Sequence, residues 1–145
     1  MSIVIRPLTE DDFSRGFLET LGSLSPVELT SADAIAIWKE RPPSSMSTVV
    51  ADLLGEVVGT ASLIIERKFI HRGGRVGHIE DVAVHRDHSG RGIGTQLIRH
   101  LTELATGRGC YKVILSCSDD MVAFYGRIGF HRHDNGMRFD CPPPG

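Results

Sequence analysis

The stretch from Val76 to Gly107 constrains the fold more than any other. A β-prone run, Val76–Val84, enters the glycine-rich segment Ser89-Gly90-Arg91-Gly92-Ile93-Gly94 and leaves it as an amphipathic helix. That helix is read from Leu97, Ile98, Leu101, Leu104 and Ala105, which recur at helical spacing, with Gly107 and Gly109 as its stop. Strand, glycine loop and helix in direct succession make an anion cradle, because the loop turns its N–H groups outward and the helix start adds partial positive charge. Arg91 adds a cation inside the loop, although glycines of this kind also serve in a plain strand-to-helix turn.

Spacing narrows the anion. Gly94 is followed by Thr95-Gln96 rather than Lys-Ser/Thr, so the triphosphate loop Gly-x-x-x-x-Gly-Lys-Ser/Thr is absent. Glycines at 90, 92 and 94 do not match the dinucleotide pattern Gly-x-Gly-x-x-Gly, and the strands before them read as an antiparallel meander rather than a βαβ unit. His85-Arg86-Asp87 resembles a kinase catalytic triplet, but the Asn such a loop requires does not follow at its offset.

The rest of the chain fits one α/β domain spanning residues 1–145. Ile3–Arg6 is a strand, and Thr9 caps a helix whose first turn holds Glu10, Asp11 and Asp12 and whose apolar residues are Phe13, Phe17, Leu18 and Leu21. A second helix follows Thr30, runs through Ile35 and Trp38 and stops before Pro42-Pro43. Thr48–Ala51 and Val57–Glu66 form a hairpin, and a turn at Arg72–Arg75 leads into Val76–Val84. Tyr111–Cys117 is a strand, Asp119–Ile128 a helix ending at Gly129, Phe130–Arg132 the following segment, and Met137–Asp140 a last strand after Asn135-Gly136. The expected sheet is mixed and mostly antiparallel, flanked by helices.

With 145 residues, 41% hydrophobic, a core is available without disulfides or metal to staple it. Sixteen Lys and Arg against 18 Asp and Glu leave a formal charge of -2, which argues against a general nucleic-acid binder or membrane-surface binder. No apolar run approaches the roughly 20 residues of a membrane helix, and Met1–Pro7 carries no signal-peptide pattern. Three cysteines with no Cys-x-x-Cys pair suggest a reducing compartment; the expectation is an intracellular, cytoplasmic protein, with an organelle matrix left open. Seven histidines complete no zinc spacing, so no metal is expected.

Three segments carry a resemblance to a known family. Glu80-Asp81-Val82-Ala83-Val84, Ser89–Gly94, and Ala123-Phe124-Tyr125 ahead of Gly129-Phe130 resemble, in order and spacing, the GCN5-related N-acetyltransferases, whose loop follows Arg/Gln-x-x-Gly-x-Gly/Ala. Ile64–His71, Gly77–Asp81 and Cys110-Tyr111-Lys112 are similar in particular to members that acetylate glucosamine 6-phosphate, and the likeness runs from about Ile5 to Met137.

The resemblance implies acetyl-CoA as donor and a homodimer whose sites draw on both subunits. It implies a product, N-acetylglucosamine 6-phosphate, that feeds UDP-N-acetylglucosamine synthesis. The pyrophosphate would lie on Gly90, Arg91, Gly92, Ile93, Gly94 and Thr95, the pantetheine against Val82, Ala83 and Val84, and Tyr125 and Arg127 would complete the CoA site. A backbone N–H near Val84 would polarise the thioester carbonyl, and Tyr125 would protonate the departing thiolate. Glu80 and Asp81 would hold the amino sugar, with Ser25, Lys68, His71 and Ser116 as further substrate contacts.

Strand alternation sends Glu80 and Asp81 to opposite faces, so only one is expected to meet the acceptor directly. Two positions depart from the family: Ser89 stands where Arg or Gln is usual, and Ser116 where an acid is usual, leaving Glu80, Asp81, backbone carbonyls or water to take the amine proton. Cys117 is a covalent rival, set aside because no motif places a histidine to activate it. Two alternatives stand beside this reading: acetylation of another small amine or a protein N-terminus, and a non-catalytic acyl-CoA-binding module.

Overall fold

A computed structural model describes residues 2–144, which divide between Leu115 and Ser116 into two compact units. The first unit holds a five-stranded mixed sheet in the order β1 (Ile3–Pro7), β2 (Met46–Leu53), β3 (Glu56–Arg67), β4 (Arg75–Val84), β5 (Cys110–Ile114). The first three pairings are antiparallel and β4–β5 is parallel.

Helices cover the sheet. The helix α3 (Ile93–Gly107) buries Leu97, Ile98, Leu101 and Ala105 of the stripe its sequence period implied, with Ile93 beside them, while Leu104 of that stripe is half-buried. The helices α1 (Phe17–Gly22) and α2 (Ser31–Glu40) close a second core in which Phe13, Phe17 and Ala34 are buried with Val50 and Val57 and packed by Trp38. Thr30 caps α2, its hydroxyl accepting from the Asp33 N–H at 3.1 Å.

The first expected helix is two pieces. Glu10–Ser14 is a 3₁₀ turn, and α1 begins only at Phe17. Gly16 separates them at φ +100, where a Cβ would stand 2.8 Å from the Val57 carbonyl oxygen, so the chain here needs both the left-handed backbone and the missing side chain. Asp12 closes the entry: it accepts from the Thr9 N–H at 2.7 Å and from Arg6 at 2.7 and 2.8 Å. Burial alone would raise the Asp12 carboxyl, but the Arg6 guanidinium and the Thr9 donors outweigh it and hold that group below its ordinary value.

The second unit is smaller. Asp119–Met121 is a 3₁₀ turn that leads into α4 (Val122–Ile128), and Gly129 at φ +117 ends the helix. The expected last strand is not formed: Met137–Asp140 has no ladder among the described residues, and Met137 and Phe139 are 96% and 83% exposed. The alternation of Met137–Asp140 suits a strand, but a strand forms only against a partner, and this unit offers none. The ladder of β5 likewise stops at Ile114, short of the expected Cys117.

Candidate active site

The parallel pairing of β4 with β5 covers only Arg75–His78, so the edge of β4 away from β3 is unpaired from Ile79 to Val84 among the described residues. Val82, Ala83 and Val84 lie on that open edge, where backbone groups await a partner.

Opposite the same stretch, the β3–β4 register slips: Ser62 pairs with Glu80, while Thr60 pairs with Ala83. The extra residue is a bulge, and Asp81 sits in it at φ +52. This overturns the expectation from strict alternation. Paired residues point to one face, which puts Glu80 with Ser62, and Ser62 and Asp81 line one cavity, so both carboxylates share the face toward α1 and α2. Both are exposed.

Past β4 the chain reaches the glycine loop through a 3₁₀ turn, Arg86–His88. Gly92 caps α3 in the left-handed conformation at φ +77, and the first helical bond is donated by the Gln96 N–H to the Gly92 carbonyl at 3.1 Å. The N–H groups of Ile93, Gly94 and Thr95 therefore have no carbonyl partner inside the helix. A Cβ built on Gly90 or Gly92 meets nothing within 4 Å, so the outer side of the loop is open. Arg91 is exposed there, its guanidinium 3.3 Å from His88 Nδ1.

The hairpin end between β3 and β4 holds Lys68 and His71, two of the expected substrate contacts. Lys68 is already engaged, its ammonium 3.2 Å from Glu66, whose other oxygen is 3.0 Å from His78 Nε2. Hydrogen bonds from His78 and then Lys68 hold the Glu66 carboxyl below its ordinary value. Glu66 and His78 were not singled out in the sequence; they stand 12 positions apart and meet only through the hairpin register. His71, at φ +50, packs its ring 4.3 Å from Tyr111. Ser25 is exposed just past α1, its N–H donating to the Leu21 carbonyl at 3.1 Å.

In the second unit Tyr125 is buried, with Phe124 and Phe130 edge-on at 5.0 and 5.8 Å. Burial, and then the nearby Cys117, push its phenol above the ordinary value, which keeps the proton on the oxygen. Ser116 and Arg127 are exposed. No group of three or more His, Cys, Asp or Glu residues among the described residues is placed to hold a metal ion.

Residues 8–130 match the model of the acetyltransferase (GNAT) family. The chain belongs to that family. It is 42% identical over 135 residues to glucosamine 6-phosphate N-acetyltransferase 1 of Oryza sativa subsp. japonica, covering 87% of this chain and 79% of the relative. It is 38% identical over 143 residues to glucosamine 6-phosphate N-acetyltransferase of Trypanosoma brucei brucei, covering 97% of each. The crystal structure of glucosamine-6-phosphate N-acetyltransferase from Arabidopsis thaliana superposes with a TM-score of 0.91 at 30% identity, over 97% of this chain and 99% of that one.

As a GNAT acetyltransferase the chain uses acetyl-CoA as its acetyl donor. The residues present fit that molecule: an open glycine loop with unpaired helix N–H groups suits a diphosphate, and a free strand edge suits the amides of a pantetheine arm. Ser89 brings only a short hydroxyl, donated to the Arg86 carbonyl at 3.2 Å, and the backbone donors of the loop do not depend on it.

Proposed function

We propose that this GNAT acetyltransferase moves the acetyl group of acetyl-CoA to the amine of glucosamine 6-phosphate by direct attack. The observation that carries the reading is the bulge at Asp81, which sets two exposed carboxylates beside the open β4 edge, in a chain whose relatives are named for that reaction. An acetyl thioester on Val82–Val84 then lies one to four residues along β4 from Glu80 and Asp81.

The assigned roles follow. Backbone N–H groups of Gly90–Thr95 hold the diphosphate, with Arg91 adding charge and Arg127 a further cation. A backbone N–H near Val84 stabilises the negative charge that develops on the carbonyl oxygen. Glu80 and Asp81 orient the amine and accept its proton directly or through water, since Ser116 has no carboxylate to offer. Tyr125 keeps its proton until the sulfur departs. Lys68 and His71, with Ser25, form the sugar-phosphate side, and Glu66 fixes Lys68 until a phosphate arrives. The enzyme acts as a homodimer in a reducing compartment of the cell; exposed Phe69 and three free cysteines support this. Among the described residues no helix is long and apolar enough to cross a membrane.

The test is CoA thiol release from acetyl-CoA with glucosamine 6-phosphate, glucosamine, spermidine and a short peptide as parallel acceptors. Release with the phosphorylated sugar at a kcat/KM at least tenfold above every other member of this panel is expected. Release led by the peptide or spermidine would keep the family and overturn the substrate.

A further inference from the structure

The glycine loop carries a side-chain pair beside its backbone cradle. Arg91 Nη1 lies 3.3 Å from Nδ1 of the half-buried His88. A guanidinium can only donate, so Nδ1 accepts, and His88 in this contact is neutral with its proton on Nε2. The turn that holds His88 is fixed on two sides: the His88 N–H donates to the His85 carbonyl at 2.8 Å, and the Arg86 N–H donates to the Ser23 hydroxyl, just past α1, at 3.2 Å. His85 stands edge-on to the His88 ring at 5.8 Å, and Asp87 is turned to His85, 3.8 Å from its Nδ1. Among the described residues no carboxylate pairs with His88 or Arg91. The neighbouring elements add no charge: β3 meets the turn through the Val58 carbonyl, which accepts from the His85 N–H, and the first turn of α3 is Ile93-Gly94-Thr95-Gln96.

We propose that His88 is a positioning residue for donor binding, which holds Arg91 at the loop while neutral and takes up a proton when the diphosphate of CoA arrives. The inference rests on the diphosphate lying at Gly90–Thr95, as proposed above. Phosphate oxygens beside the loop draw the Arg91 guanidinium to themselves and leave Nδ1 without its donor. The same negative charge favours the imidazolium, whose two ring nitrogens both donate. A second cation is useful in this chain, because Ser89, standing where the family has Arg or Gln, turns its hydroxyl back to the Arg86 carbonyl at 3.2 Å. Without an anion the second charge is unfavourable, since it would face Arg91 at 3.3 Å. The sign follows from linkage. The bound form holds the proton more tightly than the free form, so donor affinity rises as the pH falls through the histidine range, ordinarily about 6.5. A histidine that only stapled Arg91 in place would leave affinity independent of that proton.

The experiment is isothermal titration calorimetry of CoA into the unaltered enzyme, His88→Gln, His88→Asn and His85→Gln. Kd is read at about pH 8.5 and about pH 6.5, and proton uptake near pH 7 from the difference between PIPES and Tris buffers. Gln and Asn can accept from Arg91 and cannot take a charge. The titration of CoA's own phosphomonoester is common to all four proteins and cancels in the comparison. The expected gain in affinity from the higher to the lower pH is about fivefold larger in the unaltered enzyme than in either His88 variant, with an uptake larger by roughly 0.5 proton per chain. His85→Gln is expected to keep the behaviour of the unaltered enzyme. Equal uptake and equal pH dependence in the unaltered enzyme and the His88 variants overturn this inference alone. Loss of the uptake in His85→Gln with its retention in the His88 variants moves the proton to His85 and overturns it too. Failure of both His88 variants to bind CoA at the higher pH, where a histidine is neutral, would make His88 a structural support of the loop and likewise overturn it. An unaltered enzyme that binds no CoA overturns the donor site itself, and this inference with it.

Discussion

Single residues here carry separable tasks. Tyr125 is buried among aromatic rings with its phenol proton held tightly, an arrangement that suits an acid needed only once a thiolate forms. Tyr125→Phe is expected to lower kcat by roughly a hundredfold while leaving the KM for acetyl-CoA within about twofold, as loss of a general acid does. Initial-rate kinetics check this; equal loss of kcat and of donor affinity would make Tyr125 a packing residue instead. Asp12 has a structural task, with two hydrogen bonds from Arg6 and a carboxyl held below its ordinary value. Its contribution to stability is complete above about pH 4, the unfolded carboxylate value, and is lost as the pH falls through the lower folded value. Asp12→Asn is expected to cost about 2 kcal/mol at neutral pH, since it removes the charge that pairs with a partly buried guanidinium, which keeps Asp52 as its other partner. Urea unfolding should also give a smaller loss of stability below pH 4 for the variant than for the parent.

At the level of elements, what the sequence disclosed and what it withheld divide along local and non-local physics. Helix α3 and the glycine loop were legible, because a 3.6-residue stripe and three glycines are local signals. The strand–hairpin order was legible through β-branched runs and turn residues. Neither the bulge at Asp81 nor the meeting of Glu66 with His78 was legible, since both depend on the register between β3 and β4, which no single segment encodes. The break before α1 lay between these cases. Gly16 stood in plain sight inside an apolar period, but its cause is the Val57 carbonyl of a strand about forty residues on. Gly16→Ala is therefore expected to cost about 2–3 kcal/mol, more than an ordinary exposed glycine replacement, because the new Cβ is strained by φ and blocked by backbone at once. A denaturant midpoint within error of the parent would show that α1 can shift off β3 at no cost.

For the whole molecule the question is what covers the apolar surface that the fold leaves outside. Phe69 is fully exposed and Ile70 is 61% exposed at the tip between β3 and β4, held out by a turn in which His71 and Arg72 both take left-handed angles. A strained turn that presents two large apolar side chains to water is costly unless a partner buries them. A second copy is the partner proposed here, and Lys68, next to Phe69, then stands close to the subunit boundary. Sedimentation equilibrium is expected to give twice the chain mass at micromolar concentration, and Phe69→Ser to shift the population toward monomer. Because Lys68 is proposed on the sugar-phosphate side of the site, that variant is expected to raise the KM for glucosamine 6-phosphate by tenfold or more, with the KM for acetyl-CoA little changed. A parent chain that sediments as a monomer at every concentration while retaining full activity would end the case for a shared site and leave Phe69 without a role in the assembly.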